Sequence, residues 1–300
     1  MQRKNIKCYD YKQSPLYNLQ SKKKLAKVLC ITDKQLKRLA SSDKKYLEKN
    51  ILDKKGKTRH VEKASYRLGI VHKRIENLLN RIKKHDFIYS PSKGKSHVDN
   101  AILHCGNACM MKLDLKKYFP STASKRVFWF FNSRMKCSLD VAGVLTSLLT
   151  YNGYLPTGSC HSTVLSYFAN IQMWESIGKI ASNANCVLSV WVDDITVSGN
   201  TISERTKTLI KQAIKKHGLK YHKEKHYKEG DAKEVTGIIL LDDQIKVPNR
   251  HHLKRHNLKT LIQKQTHCEN KIILLSKFEG LEVYINRIIN VDRELKTTHK

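Results

Sequence analysis

The chain has 300 residues, 40% of them hydrophobic, which is enough to bury a sizeable core and excludes disorder throughout. Lys and Arg number 57 against 26 Asp and Glu, a formal charge of +31. The basic runs (SKKKLAK, DKKGKTR, RIKKH, HHLKRHNLK) are spread along the chain, so a polyanion is expected as partner, nucleic acid before an anionic membrane. No apolar run approaches the ~18 residues of a spanning helix. The opening MQRKNIKCYDYKQSPLY has no apolar signal-peptide core, so a cytoplasmic protein without a membrane partner is expected. The eight cysteines form no CxxC pair and are expected as thiols, the HCGNAC cluster (His104, Cys105, Cys109) included, because no second Cys/His pair follows at zinc-ligand spacing.

In chain order, residues 14–50 carry short helical patterns, among them TDKQLKRLA, where Thr32 and Gln35 have capping-box spacing. YLEKNILDKKGKTRHVEKAS reads as strand, basic turn around Gly56, strand. Val71, Ile75, Leu78, Leu79 and Ile82 then recur at helical spacing, and Ser96 with Asp99 opens a further short helix. Next come a strand (110–115), helices over 121–149, one long helix over 162–180, a hairpin (187–198) and a helix (202–217). Short strands near 219–221, 234–240 and 244–247 precede a helical end from about 250. Strands separated by helices, with a hairpin inside, predict an α+β sheet domain with helices on one face.

Two segments carry candidate chemistry. In LSVWVDDITVSGN, Asp193 and Asp194 stand between two strand-forming runs and are expected to form the turn themselves. Adjacent carboxylates repel, which raises the pKa of at least one unless a cation lies between them; a divalent ion held by oxygen ligands is the usual candidate, while a plain turn is the structural alternative. In MMKLDLKKYFPST, Asp114 falls near the end of an apolar strand. If that strand lies beside the hairpin, three carboxylates meet on one sheet surface and can hold two Mg²⁺ ions that activate a hydroxyl and stabilise a leaving pyrophosphate. Nucleases use the same ions, so carboxylates alone do not separate the two chemistries.

Four segments, in this order, resemble reverse transcriptase motifs: MKLDLKKYFPS, GYLPTGSCHSTVLSYFAN, WVDDITVSG and GLKYHKEKH. NAILH (Asn100 to His104) and VTG (Val235 to Gly237) narrow the resemblance to bacterial retron reverse transcriptases, over roughly residues 56–290. That family implies a right-hand polymerase fold with an antiparallel palm sheet. Its divisions would be an N-terminal helical segment (1–50), fingers (51–108), palm (109–240) and an RNA-binding thumb (241–300). It implies Asp114, Asp193 and Asp194 as catalytic metal ligands for two Mg²⁺, and nucleotide contacts from Arg59, Phe119, Thr157, Gly158 and Lys225. Lys73 or Arg74 is a helper at the triphosphate and Lys223 competes with Lys225. RNA contacts fall to Asn100, His104, Val235, Thr236 and Gly237.

The family further implies deoxynucleoside triphosphates as substrates and a cognate noncoding RNA copied from one of its own 2′-hydroxyls into a branched RNA–DNA product. It also implies a separately encoded effector in anti-phage defence. Two departures stand out: LPTGSCHST has Thr157 where glutamine is common and Cys160 and Thr163 where prolines are common, and Val192 replaces a usual alanine. Thr157 is too short for the contact a glutamine makes near the nucleotide, so altered rate or fidelity is expected. The alternatives are a catalytically drifted RNA-binding module, another bacterial reverse transcriptase of the same fold, and a metal nuclease. The intact aspartates speak against the first, the lack of a maturase-like extension against an intron enzyme, and the lack of a histidine flanking Asp193 against the nuclease.

Overall fold

Capping chemistry decides where the first helices start. The computed structural model describes residues 8–42, 45–52, 56–265 and 267–298, without the side chain of residue 298. The first seven residues of the opening segment and residues 53–55 of the expected basic turn lie outside the described residues. After a short 3-10 turn (Tyr11–Gln13) come α1 (Lys22–Val28) and α2 (Asp33–Ser41); Thr32 and Gln35 exchange the two hydrogen bonds of the expected capping box. Strands β1 (Tyr46–Leu52) and β2 (Thr58–Ala64) form an antiparallel hairpin, and α3 (Tyr66–Asn80) buries Val71, Ile75, Leu78 and Leu79. Next are β3 (Ile88–Ser90), α4 (His97–Ile102) with the Ser96/Asp99 capping box, and β4 (Cys109–Leu115). Helices α5 (Tyr118–Ser121), α6 (Ser124–Trp129) and α7 (Leu139–Leu149) follow, with a π-helical turn at Phe130–Arg134.

The helix expected over 162–180 is two helices, α8 (Ser162–Ala169) and α9 (Ile171–Asn183). Asn170, 1% exposed, breaks it: its side-chain amide donates to Thr122 Oγ1 and the Ser166 carbonyl, both at 2.9 Å, and its Oδ1 accepts from Arg126 at 3.1 Å. A side chain so engaged draws its own backbone out of the helical path (φ −108°, ψ 21°). The chain continues through β5 (Val187–Trp191), β6 (Asp194–Gly199), α10 (Glu204–Lys216), β7 (Tyr221–Tyr227), β8 (Lys233–Val235), β9 (Ile238–Leu241) and β10 (Gln244–Lys246). It ends in α11 (Asn249–Lys264) and α12 (Cys268–Thr298).

The main sheet has the order β3-β5-β6-β4-β7. It is mixed, which corrects the antiparallel expectation: β3 runs parallel to β5, while the other neighbours are antiparallel. Strand alternation sorts its faces. Met111, Leu113, Leu115, Ile195, Val197, Leu188 and Val190 turn into the large core shared with α3 and α7–α9, where Trp174, Phe130 and Phe168 are fully buried. Lys112, Asp114, Asp194, Thr196, Ser198 and Ser189 lie on the opposite face, aligned by the β4–β6 and β5–β6 registers.

A second sheet, β10-β9-β8, closes a smaller core of Val98, Ala101, Met110, Val235, Ile238 and Ile288. The strand expected over 234–240 is therefore a hairpin, turning at Thr236 and Gly237. Their φ values, +45° and +85°, are the positive pair that a two-residue type I′ turn needs. This sheet runs across residue 240, so the division expected there cuts a paired unit. All eight cysteines are free thiols. Among the described residues no helix is long and apolar enough to cross a membrane.

Candidate active site

Asp114 on β4 and Asp194 on β6 are direct cross-strand partners. The tight turn differs by one residue from the expected one: it consists of Val192 and Asp193, and Asp194 already pairs with Trp191 as the first residue of β6. Val192 holds φ +60°, a left-handed backbone that a β-branched residue adopts only under strain. The Asp193 carbonyl accepts from the Leu115 amide at 2.9 Å, so the turn is tied to the strand that carries Asp114. Burial, then Asp194 and then Asp114 push the Asp193 carboxyl up to about 6. Asp194 is also raised, by burial first, with the Lys112 ammonium opposing.

The cation nearest this cluster comes from an irregularity in β7. Between Lys112 and Asp114 the β4–β7 register passes from Lys225 to His222, one residue too many on β7, and Lys223 takes φ +53° there. Such a bulge re-aims a side chain. Lys223 Nζ consequently sits 2.5 Å from Asp114 Oδ2, and His222 Nδ1 lies 3.6 Å from Oδ1. Lys225 stays in register beside Lys112, and both lysines line a cavity of about 160 Å³ with Asp114, Asp194 and Glu234. A second cavity of about 420 Å³ joins Asp194 and Trp191 to His97, Lys112, Glu234, Thr236 and Gly237. Three carboxylates from adjacent strand ends are a donor set for a hard divalent cation, and burial together with the two acidic neighbours raises the Asp193 pKa despite Lys223 nearby. The side chains do not close into a cage: among the described residues no group of three His, Cys, Asp or Glu surrounds one point, and Asp114 is engaged by Lys223.

The loop between Leu155 and His161 lies against β2. Glu62, 2% exposed, accepts the Thr157 amide at 2.7 Å and the Tyr154 hydroxyl at 3.4 Å. A Cβ on Gly158 would meet Val61 Cγ1 at 2.5 Å and the Glu62 carbonyl at 2.7 Å. Gly158→Ala is therefore expected to destabilise the protein by about 1–3 kcal/mol by overpacking, read as a lower midpoint in urea with an unchanged slope; an unchanged midpoint would mean that the loop is free to lift from β2. His161 and His72, both buried, donate through Nε2 to the Leu149 and Leu148 carbonyls at 2.8 Å each and fix the far end of the loop.

The remaining expected contact residues divide. Arg59 is exposed on β2, and Phe119 is half-buried, packed against the large core. Lys73 pairs with Glu76 at 2.8 Å and Arg74 Nε donates to the Val28 carbonyl at 3.1 Å, so neither is aimed at the carboxylates. Thr236 and Gly237 are partly exposed, but Val235 is fully buried, and Asn100 and His104 are 1% exposed each. Those three side chains, expected at the RNA, are interior in this structure. His104 is bonded to Ser198 Oγ at 2.6 Å through Nδ1 and to Ser189 Oγ at 2.7 Å through Nε2, spanning β6 and β5 behind the aspartate turn. Asn100 lies against Thr236, whose Oγ1 donates to the His97 carbonyl at 2.7 Å. Sequence reasoning missed Glu62 and Lys112. Lys112 could have been found by its period-two spacing from Asp114, whereas nothing local marks Glu62.

Asp114, Asp193 and Asp194 thus stand at neighbouring strand ends of a mixed sheet within a strongly basic chain, an arrangement open to more than one class of phosphoryl-transfer chemistry. Comparison with known proteins narrows the class: the chain is similar to bacterial retron reverse transcriptases. It is 29% identical over 147 residues to the Retron Se72 reverse transcriptase of Salmonella heidelberg (strain 579083-10), which is 47% of this chain and 38% of that protein. It is 26% identical over 133 residues to the Retron Ec86 reverse transcriptase of Escherichia coli, 44% of this chain and 41% of that protein. To the Retron Ec48 reverse transcriptase of Escherichia coli it is 22% identical over 207 residues, 64% of this chain and 50% of that protein. The chain thus spans between about two fifths and half of the length of these curated relatives. No family model matches it.

Proposed function

We propose that the protein is a retron-type RNA-directed DNA polymerase that copies part of a cognate noncoding RNA into a branched RNA–DNA product. The observation that carries this reading is the cross-strand pairing of Asp114 with Asp194, with Asp193 in the adjoining turn, on a face left open by the core. Asp114, Asp193 and Asp194 would hold two Mg²⁺, which when bound neutralise the triphosphate and favour ionisation of the attacking hydroxyl. Lys223 and Lys225 stand beside the carboxylates to take up phosphate charge, Phe119 flanks the sugar, and the β1–β2 hairpin brings Arg59 toward the triphosphate. In this reading the hairpin and α3 serve as fingers, the main sheet as palm, and the chain from β8 onward as an RNA-binding thumb. The cognate RNA meets Thr236 and Gly237 at the edge of the larger cavity. The similarity to retron enzymes supports a cytoplasmic complex acting with a separately encoded effector in anti-phage defence.

The test is to express the gene with its flanking DNA and ask whether a short DNA, covalently joined to RNA, copurifies with the protein. A discrete branched product establishes the reading; RNA without DNA would favour the drifted RNA-binding module. Phosphate contacts from the Lys and Arg surplus also predict a steep salt response, with RNA affinity falling roughly 10³-fold or more between about 50 and 200 mM salt. A filter-binding titration that is flat over that range would remove the basic surface from the RNA interface.

A further inference from the structure

We propose that Glu62 is a positioning residue for the incoming deoxynucleoside triphosphate: it ties the β1–β2 hairpin to the loop around Thr157 and Gly158. The proposal rests on the polymerase reading and deepens it. The side chain of Thr157 is short, and the contact of this residue with the hairpin is made by its backbone amide. The structure supplies a link from the other side. Glu62 Oε2 accepts the Thr157 backbone amide at 2.7 Å, Oε1 lies 3.4 Å from the Tyr154 hydroxyl, and His60 Nε2 lies 3.9 Å from Oε1. His60 in turn is 3.5 Å from Glu48 on β1, and Tyr151 donates to Glu48 at 2.8 Å, so both strands of the hairpin are joined to the 151–158 segment.

Three features separate this arrangement from an ordinary surface ion pair. Glu62 is 2% exposed although two of its neighbours in the network, His60 and Glu48, are open to solvent. Its partner is a backbone amide, and a carboxylate accepting from an N–H forms a charge-assisted hydrogen bond with little side-chain freedom left to lose. Finally, the contact leaves no slack, since Gly158 lies so close to the Glu62 carbonyl that no Cβ fits. Arg59 is three residues from Glu62 on the same strand. The carboxylate therefore sets the distance between the hairpin residue offered to the triphosphate and the loop that forms the floor beneath it. It touches neither substrate nor metal, so its effect reaches the reaction through the backbone of Thr157.

The experiment compares wild type, Glu62→Gln and Glu62→Ala in steady-state extension of a DNA primer annealed to an RNA template, varying the dNTP. RNA affinity and the melting temperature are measured in parallel. The amide of Gln can still accept the Thr157 N–H, whereas Ala leaves that donor unpaired. The expected result is a KM for dNTP raised about tenfold in Glu62→Ala with kcat changed less than about threefold, a loss in uniform nucleotide binding. Glu62→Gln should recover most of the KM, and RNA affinity should be unchanged in both. An unchanged KM in a folded Glu62→Ala protein overturns the proposal. So does a joint loss of stability, kcat and RNA affinity that Gln does not rescue, which would make Glu62 a plain fold residue. Wild-type protein that binds RNA but extends no primer would instead overturn the polymerase reading, and this proposal with it.

Discussion

Asp193→Asn is expected to abolish DNA synthesis, by roughly 10³-fold or more, while RNA affinity stays within about twofold. Asparagine keeps the volume and the turn geometry but removes one negative charge from a cluster whose purpose in this reading is to bind cations. Lewis-acid stabilisation of the transition state is worth several kcal/mol, and about 1.4 kcal/mol corresponds to each tenfold of rate. The Lys and Arg surplus that meets phosphate is spread along the whole chain, so binding and chemistry should separate. Because Asp193 is held up at about 6 by burial and its two acidic neighbours, the substitution also relieves repulsion, and the variant should melt no lower than wild type at pH 7 without divalent ions. A variant that retains synthesis would remove Asp193 from the chemistry. One that loses RNA binding to the same degree as activity would show that the carboxylate shapes the fold.

The second large effect is acid unfolding. Burial holds His72 down to about 4 and His104 down to about 3, and it holds His161, with His72 beside it, well below the ordinary histidine range. All three are neutral in the folded protein, whereas the unfolded chain protonates near the usual 6.5. A depressed histidine contributes stability that is present above the unfolded pKa and is lost as pH falls through 6.5 toward the folded values. By pH 5 each group forfeits on the order of 2 kcal/mol, enough together to lower the melting temperature by roughly 10–20 °C. Asp193 and Asp194 act with the opposite sign, since a raised carboxyl pKa adds stability as pH falls, through about 6 for Asp193, but they are two groups against three. Thermal melts from pH 7.5 to 5 in the presence of a chelator test this; a flat profile would mean that the histidines are already charged or open to water.

Much of the site was legible in the sequence because its logic is local. Capping boxes at Thr32 and Ser96, the period-two strand around Asp114 and the paired aspartates all announce themselves within a few residues. What escaped was set by contacts distant in sequence. The break at Asn170 depends on Thr122 and Arg126, and the parallel pairing of three-residue β3 depends on a strand about a hundred residues later. Asn100 and His104 look like surface polar residues until the β8–β9 turn meets the first and the β5–β6 hairpin the second, because a buried, bonded side chain and an RNA contact have the same signature in sequence. Glu62 is likewise an ordinary alternation residue of a basic hairpin until the 155–161 loop closes on it. The one-residue error in the aspartate turn has a different origin: valine at a positive φ is a choice that local propensity argues against.

The turn at Thr236 and Gly237 gives the sequence Val-Thr-Gly a structural meaning. A bend with two left-handed residues admits few side chains at its second position, and Thr236 compensates its own unfavourable backbone through the His97 carbonyl and Asn100. Val235, fully buried, is chosen by the small core beneath it. Each letter of the triplet thus has a reason inside the chain, before any nucleotide arrives. The bend would therefore constrain all three positions even in a chain that held no ligand there.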